Sequence, residues 1–261
     1  MNKFVFLVLV GLLTSGCATR FVPPVDNVAL PKTAKVGVFI DVGEHPTHTH
    51  IGTTIFNNHV KRYPYDWQLK QSLFDKIKTQ IELQTGLEVV ALNAPLVSDF
   101  ADLDFVSVRE KQWSYIERRT ALRETLAEQG IQAIIALRET RTLAELNCSQ
   151  YGCAEFYSEG VGLFTRSFFG MDRYYASSSF EISAEILNPA IDLGMLDALW
   201  DMTIYSGKNV LLDGFSDPAD FKNITEQEML PVKAGVMDYI HKLTSQIAQY
   251  LNGDMQPAKK N

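Results

Sequence analysis

"KVGVFIDV", residues 35–42, is a run of apolar and β-branched residues that predicts a buried strand. Two further runs of the same kind follow, "LEVVAL" at residues 87–92 and "IQAIIAL" at residues 131–137. The chain between the first two predicts a helix, because apolar residues recur there at every fourth position: Leu69, Leu73, Ile77 and Ile81. Strands that alternate with helices through short connections favour a parallel sheet with right-handed crossovers.

The pattern changes in the second half of the chain. A second helix is predicted over residues 112–129, before Gly130. Beyond it, "SFEISAEI" (179–186) and "LWDMTIYSG" (199–207) alternate apolar and polar residues, which is typical of antiparallel strands with one wet face. A last helix is predicted over residues 232–251. We therefore expect the α/β class: a central mixed sheet with a parallel β-α-β core, a C-terminal antiparallel strand pair and packing helices.

The first residues, "MNKFVFLVLVGLLTSGC", are typical of an export signal. A lysine precedes an apolar run, residues 4–13, that is about half the length needed to span a bilayer. Small residues then lead to Cys17, as in bacterial lipoproteins, in which such a cysteine is acylated and becomes the new N-terminus. Thr14 occupies the position where lipoproteins usually carry a leucine, and Leu13 lies one place further back. The alternative is ordinary signal cleavage near Gly16, which would leave a soluble periplasmic protein.

This interpretation divides the chain into four parts. Residues 1–16 are the signal peptide, 17–33 the lipidated cysteine with a proline-containing tether, 34–252 a single α/β domain and 253–261 a polar tail. Several acyl chains on one cysteine would hold the protein stably on a membrane. Ala18 follows the cysteine where an inner-membrane retention signal would have aspartate, so we expect the periplasmic face of the outer membrane.

Charge and cysteine spacing narrow the possible functions. The formal net charge is −7 and no block of basic residues occurs, which argues against nucleic-acid binding. Cys148 and Cys153 enclose four residues, and in an oxidising compartment this spacing predicts a structural disulfide. No G-x-S-x-G or H-E-x-x-H pattern is present, so we expect no enzyme activity and no cofactor. A hydrolase without a recognised motif remains an alternative.

The order of elements resembles the α/β domain of the bacterial TolB N-terminal, CsgG and LpoB group of envelope proteins. The resemblance rests on the three strand runs and on "AEILNPAIDLGMLDALW", residues 184–200, where Asp192, Gly194 and Trp200 match a strand, turn and strand unit of that group. It implies a noncatalytic domain that docks partners in envelope assembly, secretion or cell-wall synthesis. Two stretches depart from the group: residues 44–67 and residues 155–175. We expect any specific function to lie there.

The second of these stretches is rich in aromatic residues. Such side chains, mixed with arginine, are typical of binding surfaces. The predicted partner surface consists of Phe164, Phe168, Phe169, Tyr174 and Tyr175. The alternative is that these rings cover a sheet edge or pack beneath a loop.

The first stretch holds four of the five histidines: His45, His48, His50 and His59. In an extended strand His48 and His50 would point the same way and could share a Zn or Cu ion. His45, His59 and Glu44 could complete its coordination. We favour a polar turn for "HPTHTH" and keep a metal site as the alternative. The predicted function is thus an outer-membrane lipoprotein that binds another envelope component, and the alternative is a periplasmic metal-binding protein centred on His45, His48 and His50.

Overall fold

The computed structural model describes residues 28–93, 104–109, 112–196 and 209–254. Its strands are β1 (Lys35–Asp41), β2 (Thr47–Ile51), β3 (His59–Arg62), β4 (Glu88–Ala91), β5 (Val106–Arg109), β6 (Gln112–Tyr115), β7 (Ile131–Glu139), β8 (Thr142–Ser149), β9 (Gly152–Ser158), β10 (Val161–Phe168), β11 (Met171–Ser178), β12 (Phe180–Leu187), β13 (Ala190–Asp192) and β14 (Val210–Leu211). The α-helices are α1 (Leu69–Thr85), α2 (Thr120–Glu128) and α3 (Leu230–Leu251).

Sheet one has the strand order β13-β12-β7-β1-β4. β1 pairs in parallel with both β4 and β7, and β12 pairs antiparallel with β7 and β13. This arrangement confirms the predicted α/β class, with a parallel β-α-β core extended by antiparallel strands. Helix α1 ends at Gly86, whose positive φ of 68° allows its N–H to bond back to Glu82.

Both faces of sheet one are buried, which explains why its parallel strands are almost continuously apolar. One face of β1 presents Val36 and Val38 to the core shared with α1 and α3. The other face of the sheet is covered around Leu126 of α2 and Phe105, which pack with Ile134. Sheet one is therefore the middle layer of an α/β/α sandwich.

Sheet two has the strand order β14-β11-β10-β2-β3 and was not predicted. β2 and β3 come from residues 44–67, and β10 and most of β11 come from residues 155–175. The two stretches in which we expected any specific function therefore pair with each other, through the parallel register of β2 and β10. No local sequence signal reveals such a pairing between segments about a hundred residues apart.

Sheet two continues from the carboxyl end of sheet one. Glu139, the last residue of β7, accepts from the backbone N–H of Gly43 at 2.7 Å and from Arg62 of β3 at 3.0 Å. Helix α3 packs against both sheets: Tyr239 lies beside Phe180, and Gly235 meets β11. A Cβ at Gly235 would lie 2.6 Å from that of Ala176, so this close approach requires glycine.

One predicted helix is shorter than expected, and one predicted strand lies outside the described residues. The helix predicted over residues 112–129 is wrong in its first part, since residues 112–115 form β6, a 3-10 turn follows and α2 begins at Thr120. Trp113 and Ile116 fitted the helical spacing, but β6 is held instead by pairing with β5. Of the predicted antiparallel pair, the first strand is β12, whereas residues 199–207 lie outside the described residues.

Candidate functional site

Strand β2, "THTHI", forms where a polar turn was predicted, and that prediction is wrong. Thr47 and Thr49 point to one face, where both bond to the backbone of Glu159: the Thr47 hydroxyl donates to its carbonyl at 2.6 Å, and the Thr49 hydroxyl accepts its N–H at 3.1 Å. His48 and His50 point to the opposite face. All four side chains are buried, because partners distant in sequence satisfy most of their polar atoms.

His48 is the most enclosed histidine. Its Nδ1 lies 3.1 Å from the carbonyl oxygen of Phe221 and its Nε2 lies 2.7 Å from the hydroxyl of Thr165. A neutral ring that donates through Nδ1 and accepts at Nε2 satisfies both contacts. Burial, reinforced by the neighbouring His59 and His50, lowers the pKa of His48 to about 3.

His50 and His59 lie directly opposite each other on β2 and β3. Their ring centroids are 5.0 Å apart, and the ring of His48 lies 5.8 and 5.3 Å from them. Nδ1 of His50 and Nε2 of His59 are buried and have no hydrogen-bond partner. Burial, and then the neighbouring His59, lowers the pKa of His50.

The structure separates His45 from the other three. Its ring is exposed, and its Nδ1 lies 3.2 Å from the carbonyl oxygen of Tyr65. The predicted grouping of His45 with His48 and His50 is therefore wrong. His59, which was also predicted as a possible ligand, does join His48 and His50, because the antiparallel register sets it against His50. Within the described ranges, no three His, Cys, Asp or Glu side chains form a ready-made metal site.

The predicted aromatic partner surface is divided between core and surface. Phe164 and Tyr174 are buried and Tyr175 is half-buried, so the assignment of Phe164 and Tyr174 to a contact surface is wrong. They lie on opposite faces of sheet two, where Tyr174 packs against Phe215 and Phe221. Phe168 and Phe169, at the turn between these strands, are exposed and pack edge to face at 4.7 Å.

Three exposed apolar residues that were missed lie close to this turn. Met171 begins β11, and Ile55 and Phe56 lie in the loop between β2 and β3. The two turns touch, since the N–H of Phe169 donates to the hydroxyl of Thr53 at 3.0 Å. We call this group the apolar end of sheet two: Ile55, Phe56, Phe168, Phe169 and Met171. The sequence could have revealed these three residues, because each is apolar and lies close to a glycine that marks a turn.

Arg166 connects the apolar end to the sheet beneath it. Its side chain is nine-tenths buried, and its guanidinium donates to the carbonyl oxygens of Ile51 and Gly52. It also lies 4.5 Å from the ring centroid of Phe156 and 5.8 Å from that of Phe168. Arg166 therefore fixes the turn that carries Phe168 relative to β2 and β9.

Strands β8 and β9 form a separate two-stranded unit that we call the hairpin arm. Cys148 and Cys153 are paired across it and joined by a disulfide, as predicted. The arm begins beside sheet two at Thr142 and follows its strands, since Glu145 forms an ion pair with Arg173 at 3.7 Å. Its outer part is exposed, with Tyr151 at the turn. An isolated two-stranded hairpin is marginally stable, so the disulfide closes the part of the arm that lacks packing.

No family model, curated protein or solved structure matches this chain. The resemblance to the TolB-like group accordingly stays a prediction. Among the described residues, the helices fall short of the combined length and hydropathy that a bilayer span requires. Cys17 and the preceding signal lie outside the described residues.

A second polar cluster lies in sheet one. Glu185 of β12 is buried, and its carboxylate accepts the backbone N–H groups of Phe105 and Val106 at 2.8 and 3.2 Å. Burial raises the pKa of Glu185 well above its usual range, and burial together with the nearby Asp104 raises the pKa of Asp192 to about 6. Because both oxygens of Glu185 bind backbone, the arrangement fastens β5 to sheet one.

Proposed function

We propose that this chain is an outer-membrane lipoprotein, acylated at Cys17, that binds another envelope protein in the periplasm and catalyses no reaction. The observation that supports the proposal best is the concentration of large exposed apolar side chains at one end of sheet two. Phe56 is 93% exposed and Phe169 is 77% exposed. Exposed apolar patches on soluble domains commonly mark interaction sites.

The position of the N-terminal connection favours a protein as the occupant of this surface. Leu30 bonds to the carbonyl of Leu251, at the end of α3, and Ala29 forms a bridge with Asn252. This is the end of sheet one where β1 starts, whereas the apolar end lies beyond the opposite end of the same strand. Only ten residues, 18 to 27, separate Cys17 from the described domain. The segment that carries Cys17 therefore enters the domain at the end away from the apolar end, which favours a surface that faces a periplasmic partner.

The composition of the surface supports the same occupant. Aromatic residues, methionine and arginine are enriched at protein interfaces, where a few buried rings supply most of the binding energy. The apolar end combines two phenylalanines at one turn with Met171, above the guanidinium of Arg166. The hairpin arm adds Leu146 and Tyr151, both exposed. Its disulfide agrees with an oxidising compartment such as the periplasm.

Crosslinking in living cells, followed by mass spectrometry, tests the partner. We expect the parent chain to capture one envelope protein reproducibly, and Phe168→Ala/Phe169→Ala to lose it. The matched control is Leu83→Ala, which removes a similarly exposed side chain from α1. Capture that is unchanged in the double variant, or lost equally in the control, would contradict the assignment of this surface.

The anchor is tested separately. The parent should incorporate labelled palmitate and fractionate with the outer membrane, and Cys17→Ser should do neither. A Cys17→Ser protein that is still labelled and still sediments with membranes would refute acylation at this residue, without bearing on the partner surface.

A further inference from the structure

We propose that His50 and His59 together bind one divalent transition-metal ion, Cu²⁺ or Zn²⁺, in the cavity beside the apolar end, and that His45 and His48 are not ligands. This inference is independent of the proposed partner. It narrows the four histidines predicted from sequence to two, because the strand register sets His59 opposite His50.

Strand pairing holds His50 and His59 next to each other. His50 and His59 are direct cross-strand neighbours, and residues opposite each other in antiparallel strands have Cβ atoms about 4.5–5.5 Å apart. Their rings are stacked at 5.0 Å between centroids with an interplanar angle of 28°. The two side chains therefore lie side by side on neighbouring strands, and the backbone pairing holds them close to each other.

One ring nitrogen of each histidine is available to bind an ion. Nδ1 of His50 and Nε2 of His59 are both buried without a partner, and His50 as a whole is 92% buried. Buried polar atoms in native proteins nearly always have a partner, and an orphan commonly marks an unseen ion or water. A neutral imidazole nitrogen with a free lone pair is also the preferred protein ligand for copper and zinc.

An ion can reach the two histidines from solvent. His50 and His59 line an open cavity of about 600 Å³ whose wall includes Asp172, Asp220 and Lys222. Solvent can reach the pair through this cavity and fill coordination positions that the protein leaves open. Since no third His, Cys, Asp or Glu completes a ready-made group in the described residues, we assign two protein ligands to the ion. Asp172 and Asp220 line the same cavity, so their carboxylates can balance the charge of the ion.

His48 is excluded by its own hydrogen bonds. Both of its nitrogens are occupied, by the Phe221 carbonyl and the Thr165 hydroxyl, so coordination would break one of these buried contacts. His45 is excluded by position, since its exposed ring contacts the Tyr65 carbonyl instead of the cavity. The two histidines that are not ligands thus serve as internal controls.

The test is calorimetric titration of the full chain, purified in detergent and stripped with a chelator, with CuCl₂ and with ZnCl₂. We expect one ion per chain, with Cu²⁺ bound more tightly than Zn²⁺ as the Irving–Williams order requires. Losing a residue that only orients a ligand lowers metal affinity by about 10–100-fold, so loss of either ligand should weaken binding by more than about 100-fold. His45→Ala should bind as the parent does.

His59→Gln is the deciding variant, because His59 is partly exposed and glutamine preserves a polar side chain on β3. Circular dichroism of each variant shows whether sheet two is intact. The electron paramagnetic resonance spectrum of the copper complex should report two nitrogen ligands in the parent and one in His59→Gln. The proposal is overturned if the parent binds neither ion stoichiometrically, or if folded His59→Gln binds both as tightly as the parent.

Discussion

The two sheets of this protein are stabilised in different ways. Sheet one is made of strands such as "KVGVFID", and its interior consists mainly of aliphatic side chains between two layers of helices. Sheet two contains "THTHI", whose buried threonines and histidines bond to Glu159, Thr165 and Phe221. Apolar burial stabilises a sheet whatever its exact neighbours are, whereas buried polar side chains require specific partners in fixed positions.

The two sheets also differ in whether their buried polar groups are already satisfied by the protein itself. In sheet one the buried carboxylate of Glu185 binds backbone N–H groups and fastens a neighbouring strand. Sheet two instead presents two unpartnered imidazole nitrogens, an open cavity and an exposed apolar end. Binding functions are therefore expected in sheet two, which rests on the more regular sheet one.

The strongest test of this comparison is removal of an aromatic side chain from the core of sheet one. Phe180 is fully buried where β12 meets α3, and we expect Phe180→Ala to lower the free energy of unfolding by about 3–5 kcal/mol. Urea unfolding followed by circular dichroism measures the change. Phe168→Ala, at an exposed ring, should change it by less than about 1 kcal/mol. Equal losses in the two variants would show that the core is not where we place it.

Gly162→Ala tests the close pairing of β10 with β2. Gly162 has a φ of 154°, and a Cβ there would lie 2.0 Å from the carbonyl oxygen of Thr47, so the two strands would have to separate. We expect a loss of about 3 kcal/mol in the free energy of unfolding. Gly152→Ala is the matched control, since Gly152 also has a positive φ but open space around it. A loss no larger than that of the control would refute the tight pairing.

Acid should lower the free energy of unfolding because of the buried His48 in sheet two. The pKa of this histidine is lowered to about 3 in the folded chain, against about 6.5 when unfolded. The unfolded state therefore binds the extra proton as pH falls below 6.5, so this contribution to stability is present above pH 6.5 and declines towards pH 3. His48→Gln should reduce the slope of unfolding free energy against pH, by up to about 1.4 kcal/mol per pH unit in this window. An unchanged slope would contradict the buried neutral ring.

In sheet one, the titration of Asp192 should change the free energy of unfolding with pH in the opposite direction, so that acid stabilises the fold. Its pKa is raised to about 6, by burial and by Asp104, with Glu185 in the same cluster. A raised carboxyl pKa favours the folded state in acid, and the contribution is lost as pH rises from about 4 to 6. Asp192→Asn keeps an oxygen to accept from the N–H of Gly194 but does not titrate, so it should be more stable than the parent at pH 7 by about 1–2 kcal/mol. Thermal unfolding at pH 4 and pH 7 measures the difference, and a variant less stable at pH 7 would contradict it.

The errors in the sequence analysis have a common physical cause. Residues 112–129 carry apolar residues at helical spacing, yet the first four pair with β5 as a strand. The aromatic stretch was recognised as important, but its pattern did not distinguish Phe164, in the core, from Phe169, at a turn. In each case the decisive contact is with a segment whose position depends on the rest of the fold.

The sequence by itself determined the α/β class, the strands and the first helix of the parallel core, and the pairing of Cys148 with Cys153. These follow from local periodicity and from spacing along the chain, which short segments carry within themselves. Only the tertiary structure decided that two distant polar and aromatic stretches form one sheet, that His59 and not His45 joins His50, and that five apolar side chains share one exposed end. Such features arise because strand register is set by partners far away in the chain, and burial decides which polar groups must find one another.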